Sequence, residues 1–432
     1  MTDIPALALG LIALALARRA FSDRGADWSW LFAGSICATL AYGIRQTMLM
    51  LPLGLSVYCW HRRCLSMRNF FAIWVMPILG LTTYQVWLHF IHGPTGNHYF
   101  LLGEGNPFQQ DYGPLLVLLR IGAGLLYCGL FTIPLAFAFW CENPIKKMRA
   151  VPRSRLYVAM GVLVFLEIFL LCGGWLPFPH DGKSPGCFGV DLFYHCSYLS
   201  RWGLGCFNLN GMDHRAVFFW REPWFWKILS MLACVSCATI ASAAAIRPGL
   251  PPSTSLAVAT LVPQCAATLL VSHFFDRYLL ALMPAVILLG RSAAGVGLRA
   301  RTALWIMTVS LGYFSWAGTA DYLGLTQAAW TLGHKAVSLG FPPGEVHANL
   351  DWCRAKNDEA LFTEIRRLST FGHTATDFSS LGCLSDPAAL VSFKKPPQPP
   401  HIYLDCAHFF SPLSLRRETL YLYKRSRADK AG

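Results

Sequence analysis

About ten apolar stretches run through this 432-residue chain, and its Lys and Arg residues gather in every second connection between them. A bundle of membrane helices requires that pattern, and a water-soluble core has no use for it. The stretches fall at about 3–18, 28–43, 46–60, 70–91, 114–140, 156–177, 226–246, 255–273, 277–291 and 302–319. The basic clusters are Arg18, Arg19 and Arg24; Arg62, Arg63 and Arg68; Lys146, Lys147, Arg149, Arg153 and Arg155; Arg247; and Arg291, Arg299 and Arg301. By the positive-inside rule the clustered side is cytoplasmic. The N-terminus, the loops 92–113 and 177–225 and the C-terminal region 321–432 then lie outside.

Composition points the same way. Apolar residues make up 54% of the chain and charged residues only 14%, too apolar for a soluble protein of this length. The expectation is an all-α polytopic membrane protein, with a helical domain over 1–320 and a small mixed α/β appendage over 321–432. A formal charge of +13 would suggest nucleic acid as partner in a soluble protein. Here most of the excess sits at helix ends, where anionic lipid heads attract it, so membrane lipid is the expected partner and nucleic acid is not.

Several stretches fall short of the roughly 20 residues that a spanning helix needs. The second and third meet at Arg45 and Gln46, and the eighth and ninth at Asp276 and Arg277, both junctions on the outer side. Short helices joined at charged residues need neighbouring protein or a watery cavity to satisfy the exposed groups. In the tail, residues 321–339 have helical periodicity that stops at Gly340, ahead of Pro342 and Pro343. Segments 401–404 and 419–423 read as strands.

Of the fifteen cysteines, Cys187, Cys196, Cys206, Cys353, Cys383 and Cys406 face outward, and the rest lie in or at the ends of apolar stretches. An even number in an oxidising compartment permits disulfides, with Cys196–Cys206 and Cys353–Cys383 the preferred pairs. Zinc held by Cys187, His195, Cys196 and Cys206 is the rival reading, and these spacings match no familiar zinc pattern.

Ionisable groups at membrane depth are expensive to place and are the first functional suspects. Asp3 opens the first stretch, either as a helix N-cap or as a functional carboxylate. Arg45 interrupts apolar sequence at the outer face, either snorkelling or binding a ligand. Arg277 lies between Asp276 and Tyr278; it can pair with Asp276, or its planar guanidinium can grip a lipid phosphate with Tyr278 adding a donor. Glu167 sits inside an apolar run with nothing near it in sequence to complete a site. His180, Asp181, Asp191, His195, Asp213 and His214 of the second outer loop are of types that bind a divalent metal or supply a base, and equally serve solubility.

Four stretches carry a family resemblance. RYLLALMPAVILL is similar to the Arg-Tyr-Leu-Leu-x-x-x-Pro stretch of the GT-C membrane glycosyltransferases, notably the family 39 branch of protein mannosyltransferases and lipid A aminoarabinose transferases. MTDIPALALG resembles the segment where that branch sets an Asp at the outer start of a helix, and YGIRQTMLMLPLGL its next hairpin. ADYLGLTQAAWTLGHKAVSLGFPPGEV resembles a bacterial subgroup in which a helix after the last span leads to a Gly-x-Pro-Pro turn. The resemblance implies a bacterial inner-membrane enzyme that takes a sugar from a polyprenyl-phosphate donor and delivers it on the outer side. Asp3 would then be a catalytic or supporting carboxylate, and Arg45, Gln46, Arg277 and Tyr278 would line the donor cavity.

One departure stands beside the match. The superfamily carries its principal acidic pair in a first outer loop that would precede Asp3, so the expectation is a chain corresponding to the later part of such a transferase. The alternative is a non-catalytic GT-C-like protein: a transporter, flippase or scaffold that keeps the lipid cavity. No repeat of matched broken helices in two halves supports the transporter version. Sugar, acceptor, metal dependence and oligomeric state are not fixed by these residues.

Overall fold

The computed structural model describes residues 3–22, 25–44, 48, 50–92, 113–141, 153–176, 199–200, 203–204, 222–245, 252–270, 279, 282, 286, 297–349, 352, 356, 388–394 and 401–425. These form two compact units, one of Met1–Tyr194 with Lys227–Val309 and one of His195–Trp226 with Ser310–Gly432.

The first unit is helical. Its helices are α1 (Asp3–Ala20), α2 (Trp28–Ile44), α3 (Met50–His61), α4 (Met67–His92), α5 (Gly113–Trp140), α6 (Arg153–Leu171), α7 (Pro223–Ala245), α8 (Pro252–Leu270) and the first turns of α9 (Leu298–Ser338). A short antiparallel hairpin, β1 (Phe21–Ser22) with β2 (Gly25–Ala26), turns α1 back onto α2. Asp27 then caps α2: its Oδ1 accepts from the Ser29 amide at 2.9 Å and from the Ser29 hydroxyl at 2.6 Å.

Helix direction follows from paired contacts. Ser35 of α2 donates to the Ile73 carbonyl of α4 at 3.0 Å, and further along both helices a Cβ at Gly80 would press on the Thr39 side chain. Those two helices therefore run parallel. Likewise Gly129, Thr132 and Trp140 of α5 meet Ala233, Ser236 and Thr239 of α7 in step, so that pair is parallel too. Between α3 and α8, a Cβ at Gly54 would lie 2.6 Å from the Thr260 Cα, so glycine is what lets these backbones touch.

Among the described residues three helices are long and apolar enough to cross a membrane: Met67–Trp87, Val117–Trp140 and Pro223–Ser242. Trp28–Ile44, Leu156–Leu171 and Val258–Ala267 are apolar but shorter. The remaining expected stretches are helical without meeting that standard, except 277–291, of which only residues 279, 282 and 286 are described. Large apolar side chains point outward along these helices, with Ile78 and Leu79 on α4, Tyr157 and Ile168 on α6 and Met231 on α7 all more than half exposed except where packing intervenes at Ala72 and Ile73. That surface suits a lipid environment, not water.

The second unit carries the mixed part. The hairpin β3 (Leu199–Ser200) with β4 (Gly203–Leu204) belongs to it, as does a four-stranded sheet of β5 (Val346–His347), β6 (Ala389–Ser392), β7 (His401–Ser411) and β8 (Arg416–Arg425). The sheet order is β5-β6-β8-β7, with β5 parallel to β6 and the other pairs antiparallel. The later turns of α9 cover one sheet face: Leu325, Ala329, Leu332 and Ala336 pack with Val391, Phe409, Leu420 and Leu422. Alternation in β8 puts Leu420 and Leu422 on this face.

Helix α9 continues unbroken from Leu298 through Asp321, where the sequence expects a span to end and a separate helix to begin. Asp321 is fully buried, so it faces packing and not a solvent-exposed joint. The expected stop is observed. Gly340 has φ +93°, its amide donates to the Val337 carbonyl at 3.0 Å, and the Phe341 amide donates to the Ala336 carbonyl at 3.2 Å. That pair of bonds is a Schellman motif, completed by Phe341 packing on the core.

Candidate functional site

Of the residues singled out in the sequence, Asp3 is the first residue of α1, and Arg45, Gln46, Arg277 and Tyr278 lie outside the described residues. So do Asp276, His180, Asp181, Asp191, His195, Asp213 and His214 of loop 177–225, and Cys187, Cys196, Cys206, Cys353 and Cys383, on which the disulfide and zinc readings rest. No group of three metal-ligating side chains occurs among the described residues.

The neighbourhood of the Arg277-Tyr278 stretch is nevertheless partly visible. Leu279, which directly follows Tyr278, is buried, as are Leu282 and Val286. A Cβ placed at Gly124 of α5 would lie 3.5 Å from the Leu279 Cδ2, in ordinary packing distance. Leu279 is thus seated against α5.

One turn before Gly124, on the same face of α5, is Arg120, a residue that sequence reading passed over. It is 3% exposed and lies inside the membrane-length segment Val117–Trp140. Its signal was present in LLVLLRIGAGLL, a single cation in an apolar run, the same kind of signal that drew attention to Glu167. Across α5 from Gly124, Gly122 meets the Phe169 ring of α6, whose nearest carbon would be 2.7 Å from an added Cβ. Arg120 is therefore flanked by two glycines that admit apolar groups close to the helix, Phe169 on one side and Leu279 on the other. Glu167, by contrast, is exposed on α6.

On the second unit, a polar-aromatic strip occupies the sheet face away from α9. The bulge between Tyr403 and Asp405 brings Tyr403 onto the same face as Cys406 and His408. Tyr403, Tyr421 and Tyr423 have ring centroids 6.2–6.4 Å apart. His408 Nδ1 is 2.9 Å from the Thr419 hydroxyl, and the Cys406 thiol is 3.9 Å from His408 Nε2. A hydrogen bond with Cys406 above all pushes the Tyr403 phenol up to about 12, so it stays a neutral donor. Cys406 is a free thiol.

No family model, curated protein or solved structure matches this chain.

Proposed function

We propose that this chain is a polyprenyl-phosphate-sugar-dependent glycosyltransferase of GT-C type that works on the extracytoplasmic side of a bacterial inner membrane. The observation that supports the reading is the burial of Leu279, Leu282 and Val286, with Leu279, the residue after Tyr278 in sequence, packed against α5. The order of membrane-length helices followed by a small mixed unit also fits.

The alternating topology has its own support. Arg19 at the end of α1 lies 4.2 Å over the Trp30 ring, and Arg68 at the start of α4 lies 4.6 Å over the Trp28 ring. Both tryptophans begin α2, so three helix ends that the charge pattern assigns to the cytoplasmic side gather together. Parallel α2 and α4, and parallel α5 and α7, are the pairings that alternate crossings demand.

In the proposed reaction an acceptor O–H or N–H attacks the anomeric carbon of the sugar, and the bond from that carbon to the phosphate oxygen breaks. Its proton passes to a carboxylate, for which Asp3 is the candidate, and the lipid phosphate leaves with the bonding electrons. Arg277 and Arg45 supply positive charge for that phosphate, with Gln46 and Tyr278 as further donors. Purified protein in proteoliposomes, given radiolabelled polyprenyl-phosphate sugars and membrane acceptors, should transfer label, and Arg277→Ala should abolish transfer. Donor binding by the wild type with no transfer across a panel of sugars would favour the transporter or scaffold reading instead.

A further inference from the structure

We propose that the cleft between the end of α5 and the start of α9 binds an anionic phospholipid of the cytoplasmic leaflet, with Arg299 on its phosphate and the apolar wall on an acyl chain. The inference rests on the membrane reading of the first unit and not on the transferase reading. The cleft has a volume of about 490 Å³, and its walls include Phe137 and Cys141 at the end of α5 and Arg299, Ala303, Ile306 and Met307 on α9. That volume falls in the range of about 300–1,000 Å³ usual for small-molecule sites. All six residues belong to the first unit. Spacings of three and four put Arg299, Ala303 and Ile306 on one face of α9, and the Cys141 amide donates to the Phe137 carbonyl at 3.1 Å, which extends the last turn of α5.

The walls suit an amphiphile with a negative head. Arg299 is the only charged residue among the described lining, and it is exposed without an ion pair to any described residue. The Thr302 hydroxyl, also in the lining, donates to the Leu298 carbonyl of its own helix at 3.0 Å, which leaves the guanidinium as the donor free to meet a ligand. Segments 141–155 and 291–301, which adjoin these helix ends in sequence, carry eight basic residues against the single acidic Glu142, so an anion is the complementary head. Depth agrees with the head and tail of a lipid. The membrane-length segment Val117–Trp140 stops one residue before Cys141, so Cys141 and Arg299 lie at headgroup level. Ile306 is seven residues further along α9, about 10 Å toward the apolar interior, where an acyl chain lies. A neutral lipid would leave the guanidinium without a counterpart, and a free phosphate would leave the apolar wall unused.

Cys141 is a free thiol in the cleft wall and reports occupancy, while Cys172, a free thiol after α6 and outside this lining, is the internal control. Full-length protein in detergent is delipidated and given phosphatidylglycerol, phosphatidylcholine or inorganic phosphate, and alkylation of both thiols by N-ethylmaleimide is followed by peptide mass spectrometry. Phosphatidylglycerol should slow Cys141 about fivefold more than phosphatidylcholine does, with no such difference at Cys172. Arg299→Gln should erase the preference, and Arg299→Lys, which keeps charge without the planar fork, should retain part of it. Equal slowing by phosphatidylcholine would reduce the cleft to an apolar crevice and overturn the proposal. Slowing by inorganic phosphate alone would assign a free-anion site and overturn the lipid assignment. A full preference in Arg299→Gln would remove Arg299 from the site. A second measurement does not depend on that variant: native mass spectrometry of the wild type should show phosphatidylglycerol retained over phosphatidylcholine, and Ala303→Trp, which fills the cleft, should lose it. Retention unchanged in Ala303→Trp, or no preference in the wild type, would refute the site.

Discussion

Thr132 and Ser236 meet hydroxyl to hydroxyl at 3.1 Å between α5 and α7, both buried, while Thr132 also donates to the Cys128 carbonyl at 2.8 Å. The two helices can approach this closely because a side chain at Gly129 would run into the Ala233 carbonyl oxygen. Between helices in an apolar medium such a bond substitutes for the missing hydrophobic drive, with measured contributions averaging about 0.6 kcal/mol. Ser236→Ala should therefore destabilise the protein by about 0.5–1.5 kcal/mol. Gly129→Val, which forces the backbones apart, should cost more, about 1–3 kcal/mol. Thermal unfolding in detergent, followed by thiol reactivity of the buried cysteines, reads both. A Gly129→Val protein as stable as wild type would show that α5 and α7 do not pack as described.

Elsewhere in the first unit, the Asp27 cap makes stability depend on acid. Its hydrogen bonds from Ser29 hold the carboxyl below its ordinary value of 3.8. A depressed carboxylate contributes stability that is present above the unfolded value and lost as pH falls through the folded one. Asp27→Ala should accordingly lower the melting temperature at pH 7 and lower it less at pH 3. Asp27→Ser, which still caps α2, should recover most of the loss and show no such acid dependence. Equal melting-temperature losses for Asp27→Ala at the two pH values would be the contrary result.

These contacts separate what a sequence displays locally from what it does not. The ends of α1 and α2 and the start of α4 were legible because basic residues mark them in the chain: Arg18 and Arg19 at the end of α1, Arg45 after α2 and Arg68 at the start of α4. Gly340 was legible as a stop because a residue after a helix that needs positive φ is usually glycine. Residues 401–404 and 419–423 were legible as strands from their β-branched and aromatic content, but β6 was not. Four residues, Ala389–Ser392, become a strand through pairing with β5 and β8, which are remote in sequence. At Asp321, where the apolar run ends, the helix continues without a break, and the residue is packed inside the second unit. Arg120 escaped for a related reason. Burial, not its bare presence near a helix end, distinguishes it from a snorkelling arginine, and burial cannot be read from the run of residues around it.

His347 on β5 predicts a second, oppositely placed acid sensitivity. Burial lowers its basicity below the ordinary 6.5, so the folded unit prefers the neutral ring. A base with a lowered folded value favours the fold above pH 6.5, and stability falls as pH drops from 6.5 toward the lowered value. Hydrogen exchange of the β6 and β8 amides should therefore be faster at pH 5 than at pH 7, after correction for intrinsic rates. His347→Leu, buried and without a charge to gain, should flatten that difference. If the variant retains the full pH response, the titrating group lies elsewhere.

Trp352 locks the core of the second unit, and its removal should be the most damaging single change there. The ring is fully buried, stands edge-on to Trp330 at 5.3 Å and to His334 at 5.0 Å, and rests on Gly333, where an added Cβ would come within 2.9 Å of it. Its amide is held by Asn349 Oδ1 at 2.8 Å. Trp352→Ala would leave a cavity between α9 and the sheet and should cost about 3–5 kcal/mol. Trp352→Phe should cost much less, because most of the apolar volume stays. Gly333→Val attacks the same contact from the helix side and should destabilise without removing any buried area. The loss should appear as faster exchange in β6, β8 and the α9 segment after residue 325, with α5 and α7 unaffected. Were α5 and α7 to lose protection equally, the two units would unfold as one.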